Sequence, residues 1–167
     1  MKTKLHRPML QYVKDDNDNR EITGVEIGVA TGKNALNMLQ NLDIDKLYLI
    51  DSYSFHPKKY SQHPFIIAKR NLKKYTDRIV WVRRRSEDAV DKIPVGIDFV
   101  YIDGNHRYKY VKLDIELYYP KIRTGGVIGG HDYVADYSGV IKAVQEFAGK
   151  HNLQLQSRET DWWLVKE

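Results

Sequence analysis

The chain has 167 residues, 42% of them apolar and 29% charged, which suits one folded domain and leaves no room for a second full catalytic domain. It has no Cys, which excludes a disulfide framework, zinc–thiolate and iron–sulfur sites and cysteine nucleophiles. Its formal charge of +5 fits a mild preference for anionic ligands. With no signal-peptide core and no run near the roughly 20 apolar residues of a membrane helix, the expectation is a cytoplasmic protein without a membrane.

Residues 1–21 form an N-terminal arm whose first 20 residues are polar and end in DDNDNR, which reads as a short helix or arm followed by a turn. ITGVEIGVA is a first strand closed by Thr31 and Gly32, and NALNMLQNL a helix with Ala35, Leu36, Leu39 and Leu42 at helical spacing. LYLID is a second strand ending at Asp51. SYSFHPKKYSQHP is a loop rich in aromatics and His, which could serve as a lid, and PFIIAKRNLKKY a helix with Phe65, Ala68 and Leu72 on one face. RIVWVR is a third strand, and SEDAVDKI opens a helix at Ser86 with acids in its first turn. IDFVYID is a fourth strand ending at Asp103. RYKYVKLDIELYY is a helix that Pro120 stops near Tyr119. The turn RTGG leads into VIGGHDY, a fifth strand. SGVIKAVQEFAGKHN is a helix with Val140, Ile141, Val144 and Phe147 inward, and LQLQSR and DWWLVKE form a terminal hairpin.

Strands alternating with helices imply a mostly parallel sheet covered on both faces. A closed eight-stranded barrel typically needs about 250 residues, so an open doubly wound sheet is expected. Ligands of such sheets bind beyond the carboxyl ends of the strands. Those ends carry Glu26 to Gly32, Asp51, Arg83 to Ser86, Asp103 to His106 and Gly130 to Tyr133.

Each group has its own chemistry. EIGVATG, with Gly28 and Gly32, allows a tight turn that a ligand can approach, but it lacks the spacing of a dinucleotide or P-loop turn. Glu26 there suits an ammonium or a backbone donor rather than a phosphate. Asp51, 23 residues after Gly28, fits either a ribose diol or a loop cap. Asp103, His106, His131 and Asp132 can converge if their strands are neighbours. Two carboxylates with imidazole suit Mg²⁺ or Mn²⁺, and an acid pair can equally hold a substrate amine. Residues 58–85 hold ten Lys or Arg against one acid, Asp77. That excess of nine exceeds the whole chain's +5, so the remainder is net acidic by four. This stretch reads as a solvated helix face or as a nucleic-acid groove with aromatics for stacking.

VEIGVATG resembles the first motif of class I S-adenosylmethionine-dependent methyltransferases. YIDGNHRYKYVKLDIELYYPKIRTGGVIGGHDY resembles the matching stretch of small-molecule O-methyltransferases related to macrocin O-methyltransferase and cephalosporin hydroxylase-like proteins. The resemblance spans about residues 22–166. It implies a single methyltransferase domain over 22–167 with a Rossmann-like seven-stranded sheet of order 3-2-1-4-5-7-6, the seventh strand antiparallel.

It further implies S-adenosyl-L-methionine as cofactor, with Glu26, Gly28 and Gly32 around its methionine part, Asp51 on the ribose and Ser86 with Glu87 near the adenine. Asp103 would stand by the methyl-donor site and, with Asp132 and the neighbouring His131, hold a divalent ion. His106 or His131 would be the base, and Asp103 belongs to the catalytic group.

The expected acceptor is a hydroxyl of a small molecule or glycan, reached through an open site unless the 52–64 loop or a second subunit of a homodimer covers it. Methylation of a nucleic acid through the 58–85 surface is one alternative. A non-catalytic cofactor-binding or regulatory protein is another.

Overall fold

The computed structural model describes residues 5–16, 20–54 and 62–167. In chain order the elements are α1 (Pro8–Asp15), β1 (Ile22–Ile27), α2 (Lys33–Asn41), β2 (Ile44–Ile50), α3 (Pro64–Asn71), β3 (Ile79–Val82), α4 (Ser86–Ala89), β4 (Ile97–Ile102), α5 (Tyr108–Tyr118), β5 (Ile122–Gly130), α6 (Ser138–His151), β6 (Gln156–Arg158) and β7 (Asp161–Val165). The seven strands form one sheet in the order β3-β2-β1-β4-β5-β7-β6, as expected. β7 runs antiparallel to both β5 and β6, and the other pairings are parallel.

The period-two alternation of the strands divides the core. In β4, Val100 and Ile102 face the layer built by Val111 and Ile115 of α5 and Val144 and Phe147 of α6. Phe99 and Tyr101 face the opposite layer, where Met9 and Leu10 of α1 and Met38 and Leu39 of α2 pack. All six residues of β4 are buried, because a central parallel strand is covered on both faces. The N-terminal segment joins this core: Met9 and Leu10 are fully buried, and Met9 N donates to the buried Asp161 carboxylate at 3.2 Å.

Three local expectations need correction. RTGG is not a turn before β5 but its bulged beginning. Gly125 takes φ +75, and Gly125 N and Gly126 O bond Lys166, just past the end of β7. The helix opens at Ser86 with Glu87 and Asp88 in its first turn, as expected, but lasts only four residues before a 3-10 turn. Ile93 is extended because Pro94 follows it. Ile141 of α6 is only half-buried, while Ala143 and Ala148 complete the inward stripe. Among the described residues no helix is long and apolar enough to cross a membrane.

The strand registers matter most for the site. Ile50, Ile27, Ile102 and Gly130 are aligned across neighbouring strands, with Val82 beside Ile50. Each following residue bonds back to a neighbour: Gly28 N to Ile50 O, Asp51 N to Val82 O, Asp103 N to Ile27 O and His131 N to Ile102 O. The strand ends therefore form one row along a single edge of the sheet.

Candidate active site

A cavity of about 660 Å³ opens along that row. Its wall includes Gly28, Asp51, Arg84, Arg85, Ser86, Glu87, Asp103, His106, Tyr110 and Asp114. Residues from β1, β2, β3 and β4 thus meet in one volume of the size that holds small-molecule ligands.

The turn after β1 is shaped by close approach. Gly28 has φ +89, and a Cβ there would lie 2.2 Å from the Asp103 carbonyl oxygen, so only glycine lets the β1 and β4 ends meet. Gly32 does different work. It has φ +73 and faces α3, where a Cβ would meet Leu72 Cδ1 at 2.9 Å; it packs the turn against a helix rather than lining the cavity. Asp51 Oδ2 accepts from Val29 N at 3.0 Å and Ala30 N at 2.9 Å, while Oδ1 accepts from Tyr53 N at 2.8 Å. Asp51 is therefore a loop cap that also faces the cavity, with carboxylate lone pairs left over.

Glu26 sits beneath the turn and outside the cavity lining, 1% exposed. Oε1 accepts from Asn34 Nδ2 at 2.9 Å, and Oε2 has no hydrogen-bond partner. Burial pushes this carboxyl up to about 8; Asn34 opposes the shift and the charge of Asp103 adds to it.

Asp103, His106, His131 and Asp132 do converge. His106 Nε2 lies 2.8 Å from Asp132 Oδ2, off the line a hydrogen bond requires, and 3.6 Å from Asp103 Oδ1. Asp103 first, and Asp132 after it, hold the imidazole above its ordinary pKa against the opposing effect of burial. His131 is committed elsewhere: Nδ1 is 2.9 Å from Asp132 Oδ1, and Nε2 shares a 2.7 Å hydrogen bond with Thr160 Oγ1. His106 lines the cavity and His131 does not. Asp132 has φ +62, a left-handed conformation that Asp tolerates better than most residues and that turns its carboxylate back toward both imidazoles. Ala30 and Tyr53, also on the row, share this conformation.

Asp103, His131 and Asp132 each offer one ligand atom, and the three atoms lie within 4.8 Å of one another. Two carboxylates and an imidazole at that separation fit a divalent ion such as Mg²⁺ or Mn²⁺. Because both His131 nitrogens are already engaged, the carboxylates are the ready donors.

Ser86 and Glu87 both face the cavity. The Ser86 carbonyl is held by Tyr118 Oη at 2.8 Å. The basic stretch splits: Arg84 and Arg85 line the cavity, Arg83 lies 4.3 Å over the Phe65 ring, and Arg85 packs near the Tyr110 ring. Lys58, Lys59 and the 55–61 part of the proposed lid lie outside the described residues.

Two groups escaped sequence reading. Arg7, just ahead of α1, places its guanidinium 3.7 Å from Asp103 and 3.9 Å from Asp161. No local pattern signals a contact spanning almost a hundred residues. Asp114 lines the cavity from α5, 3% exposed. Its signal was present: it falls on the stripe of Val111, Ile115 and Tyr118, where an acid is out of place.

A family model described as a methyltransferase domain matches residues 25–133. The uncharacterized protein R132 of Acanthamoeba polyphaga mimivirus is 33% identical; the match covers 77% of this chain, which spans 59% of that protein's length. An O-methyltransferase from Bacillus cereus, solved in complex with SAH, superposes with a TM-score of 0.73 at 16% identity, covering 95% of this chain and 79% of that one. CalS11, a TDP-rhamnose 3'-O-methyltransferase of calicheamicin biosynthesis, superposes with a TM-score of 0.68 at 15% identity, covering 94% and 76%. At these identities the two structures establish a shared fold.

Proposed function

Since the chain belongs to the methyltransferase-domain family, we propose that it transfers a methyl group from S-adenosyl-L-methionine to a hydroxyl of a small molecule or sugar, with a divalent ion assisting. The observation that carries this reading is the meeting of Asp103 and His106, backed by Asp132, with the Gly28 turn at one cavity. The similar folds of a sugar O-methyltransferase and of an O-methyltransferase bound to SAH support the choice of cofactor and acceptor class.

In this reading Gly28 and Glu26 serve the amino-acid end of the cofactor, with Gly32 holding the turn. Asp51 takes the ribose hydroxyls with the lone pairs its backbone donors leave free, and Ser86 and Glu87 flank the base. The cofactor supplies a methyl group activated by positive sulfur. Around it this chain contributes the carboxylates of Asp51 and Asp103, with Asp132 beside Asp103, which favours a cation there. Asp103 and Asp132 would hold Mg²⁺ or Mn²⁺ with His131 beside them, and the ion would lower the acceptor hydroxyl's pKa. His106 is the base: its imidazole lines the cavity beside Asp103 and takes the proton as the oxygen gains the methyl. His131, bonded to Thr160 and Asp132, orients Asp132. Alignment of oxygen, carbon and sulfur then supplies the rate.

A second reading, methylation of a nucleic acid, draws on Arg84 and Arg85 at the cavity with Tyr110 and Lys109 stacked beside them. The test of the main reading is calorimetry with S-adenosylhomocysteine, followed by transfer assays on hydroxylated small molecules with and without Mn²⁺. Failure of the nucleoside to bind would sink it. Salt-sensitive binding of RNA or DNA, lost on Arg84→Glu, would favour the second reading.

A further inference from the structure

Among the described residues five buried side-chain atoms have no hydrogen-bond partner: Glu26 Oε2, Tyr53 Oη, His106 Nε2, Asp114 Oδ1 and Trp163 Nε1. His106 Nε2 has the Asp132 carboxylate close by, and Trp163 lies against Tyr12, away from the cavity. Asp114 Oδ1 is different. It is an acceptor on a residue 3% exposed that lines the cavity, and the charge acting on it is the like charge of Glu87.

Burial pushes the Asp114 carboxyl up to about 7, and Ser86 offsets only part of that shift. A buried acceptor without a donor is costly, and native proteins seldom keep one without a use. What completes it must be a donor that enters the cavity. Its neighbours define which end of a ligand that is: Ser86 and Glu87 begin α4, Tyr110 stands one turn back on α5, and Tyr118 one turn forward holds the Ser86 carbonyl. Ser86 and Glu87, the adenine candidates, act directly on the Asp114 carboxyl, and Asp51, the ribose candidate, lines the same cavity.

We propose that Asp114 is the specificity residue for the nucleobase: its free Oδ1 accepts the exocyclic 6-amino group of adenine, so the site selects a 6-amino purine nucleoside over a 6-oxo one. The assignment rests on the S-adenosyl nucleoside reading given above. Against the ionised carboxylate, a 6-oxo base would turn a carbonyl oxygen toward the carboxylate oxygen and leave both acceptors without a donor. Sites built around a hydrogen bond discriminate strongly against ligands that cannot make it.

The experiment is calorimetric titration, at a pH well above 7 where the Asp114 carboxyl is ionised, of the full chain with S-adenosylhomocysteine and with its deaminated analogue S-inosylhomocysteine, on the wild-type protein and on Asp114→Asn. The wild-type protein should bind the amino nucleoside about 10- to 100-fold more tightly, the range expected for one unsatisfied buried acceptor. Asp114→Asn can present its amide NH₂ to the 6-oxo group, so the ratio should shrink toward unity or invert, a change that a purely structural role would not produce. Equal binding of both nucleosides by the wild-type chain overturns the assignment, as does an unchanged ratio in a folded Asp114→Asn. If the wild-type chain binds neither nucleoside, the cofactor reading falls and this assignment falls with it; if it binds both alike, Asp114 alone is misassigned.

Discussion

Gly28→Ala tests whether the close approach of β1 and β4 builds the site. The added Cβ would sit 2.2 Å from the Asp103 carbonyl oxygen, 2.5 Å from its carbon and 2.6 Å from Gly104 Cα. All three are backbone atoms, which cannot rotate aside as a flexible side chain would. The φ of +89 adds strain for any L residue. Left-handed backbone costs about 1–2 kcal/mol and overpacking about 1–3 kcal/mol, so a total loss of about 2–5 kcal/mol is expected. For a domain of this size each kcal/mol lowers Tm by about 2–4 °C.

Gly96→Ala is the matched control. Gly96 has φ +83 but nothing within 4 Å of its Cβ position, so it should show the backbone term alone, about 1–2 kcal/mol. Thermal unfolding followed by circular dichroism, with titration of S-adenosylhomocysteine at a temperature where both variants are folded, separates the terms. Gly28→Ala should melt lower than Gly96→Ala and lose nucleoside binding, while Gly96→Ala keeps it. Equal melting of the two variants, or normal binding by Gly28→Ala, would refute the steric argument.

Other outcomes are expected. Glu26 is pushed up from 4.5 to about 8, so its folded form keeps a proton that the unfolded chain releases. The protein should lose stability as pH rises from about 4.5 to 8, about 5 kcal/mol in all. Glu26→Gln should flatten that decline in ligand-free urea titrations; parallel curves would contradict it. Asp98 behaves oppositely. It binds Arg20, Arg123 and Thr23 N, and its pKa is lowered by these partners although burial alone raises it. Its contribution is present at neutral pH and is lost as pH falls through its depressed pKa, so Asp98→Asn should cost about 1–3 kcal/mol at pH 7 and little in strong acid. His106→Gln should lower kcat by about 10²-fold or more with nucleoside affinity nearly unchanged, measured by methyl transfer alongside calorimetry. His131→Gln should act more mildly, because His131 does not line the cavity. Asp103→Asn with Asp132→Asn should abolish any Mn²⁺ dependence; full metal stimulation in that double variant would exclude these residues as ligands.

The alternation of strand and helix was readable because each element carries its own period. Phe99 and Tyr101 alternate with Val100 and Ile102 in β4, and Val140, Val144 and Phe147 recur along α6. Glycine and acidic residues then marked the strand ends. A parallel sheet aligns those ends in one row, so Gly28, Asp51, Asp103 and His131 were placed together by chain order alone.

Chain order does not say which way a strand-end side chain points or what comes to meet it. Only the folded arrangement separates His106, on the cavity, from His131, tied to Thr160 29 residues away. It also turns Gly32 toward α3, sinks Glu26 beneath the turn, carries Arg7 to Asp103, and leaves Oδ1 of the cavity-lining Asp114 without a donor. Local propensity and hydrophobic period act over a turn or a strand. Those last contacts are set by the packing of residues distant in sequence, where sterics, burial and charge are resolved together.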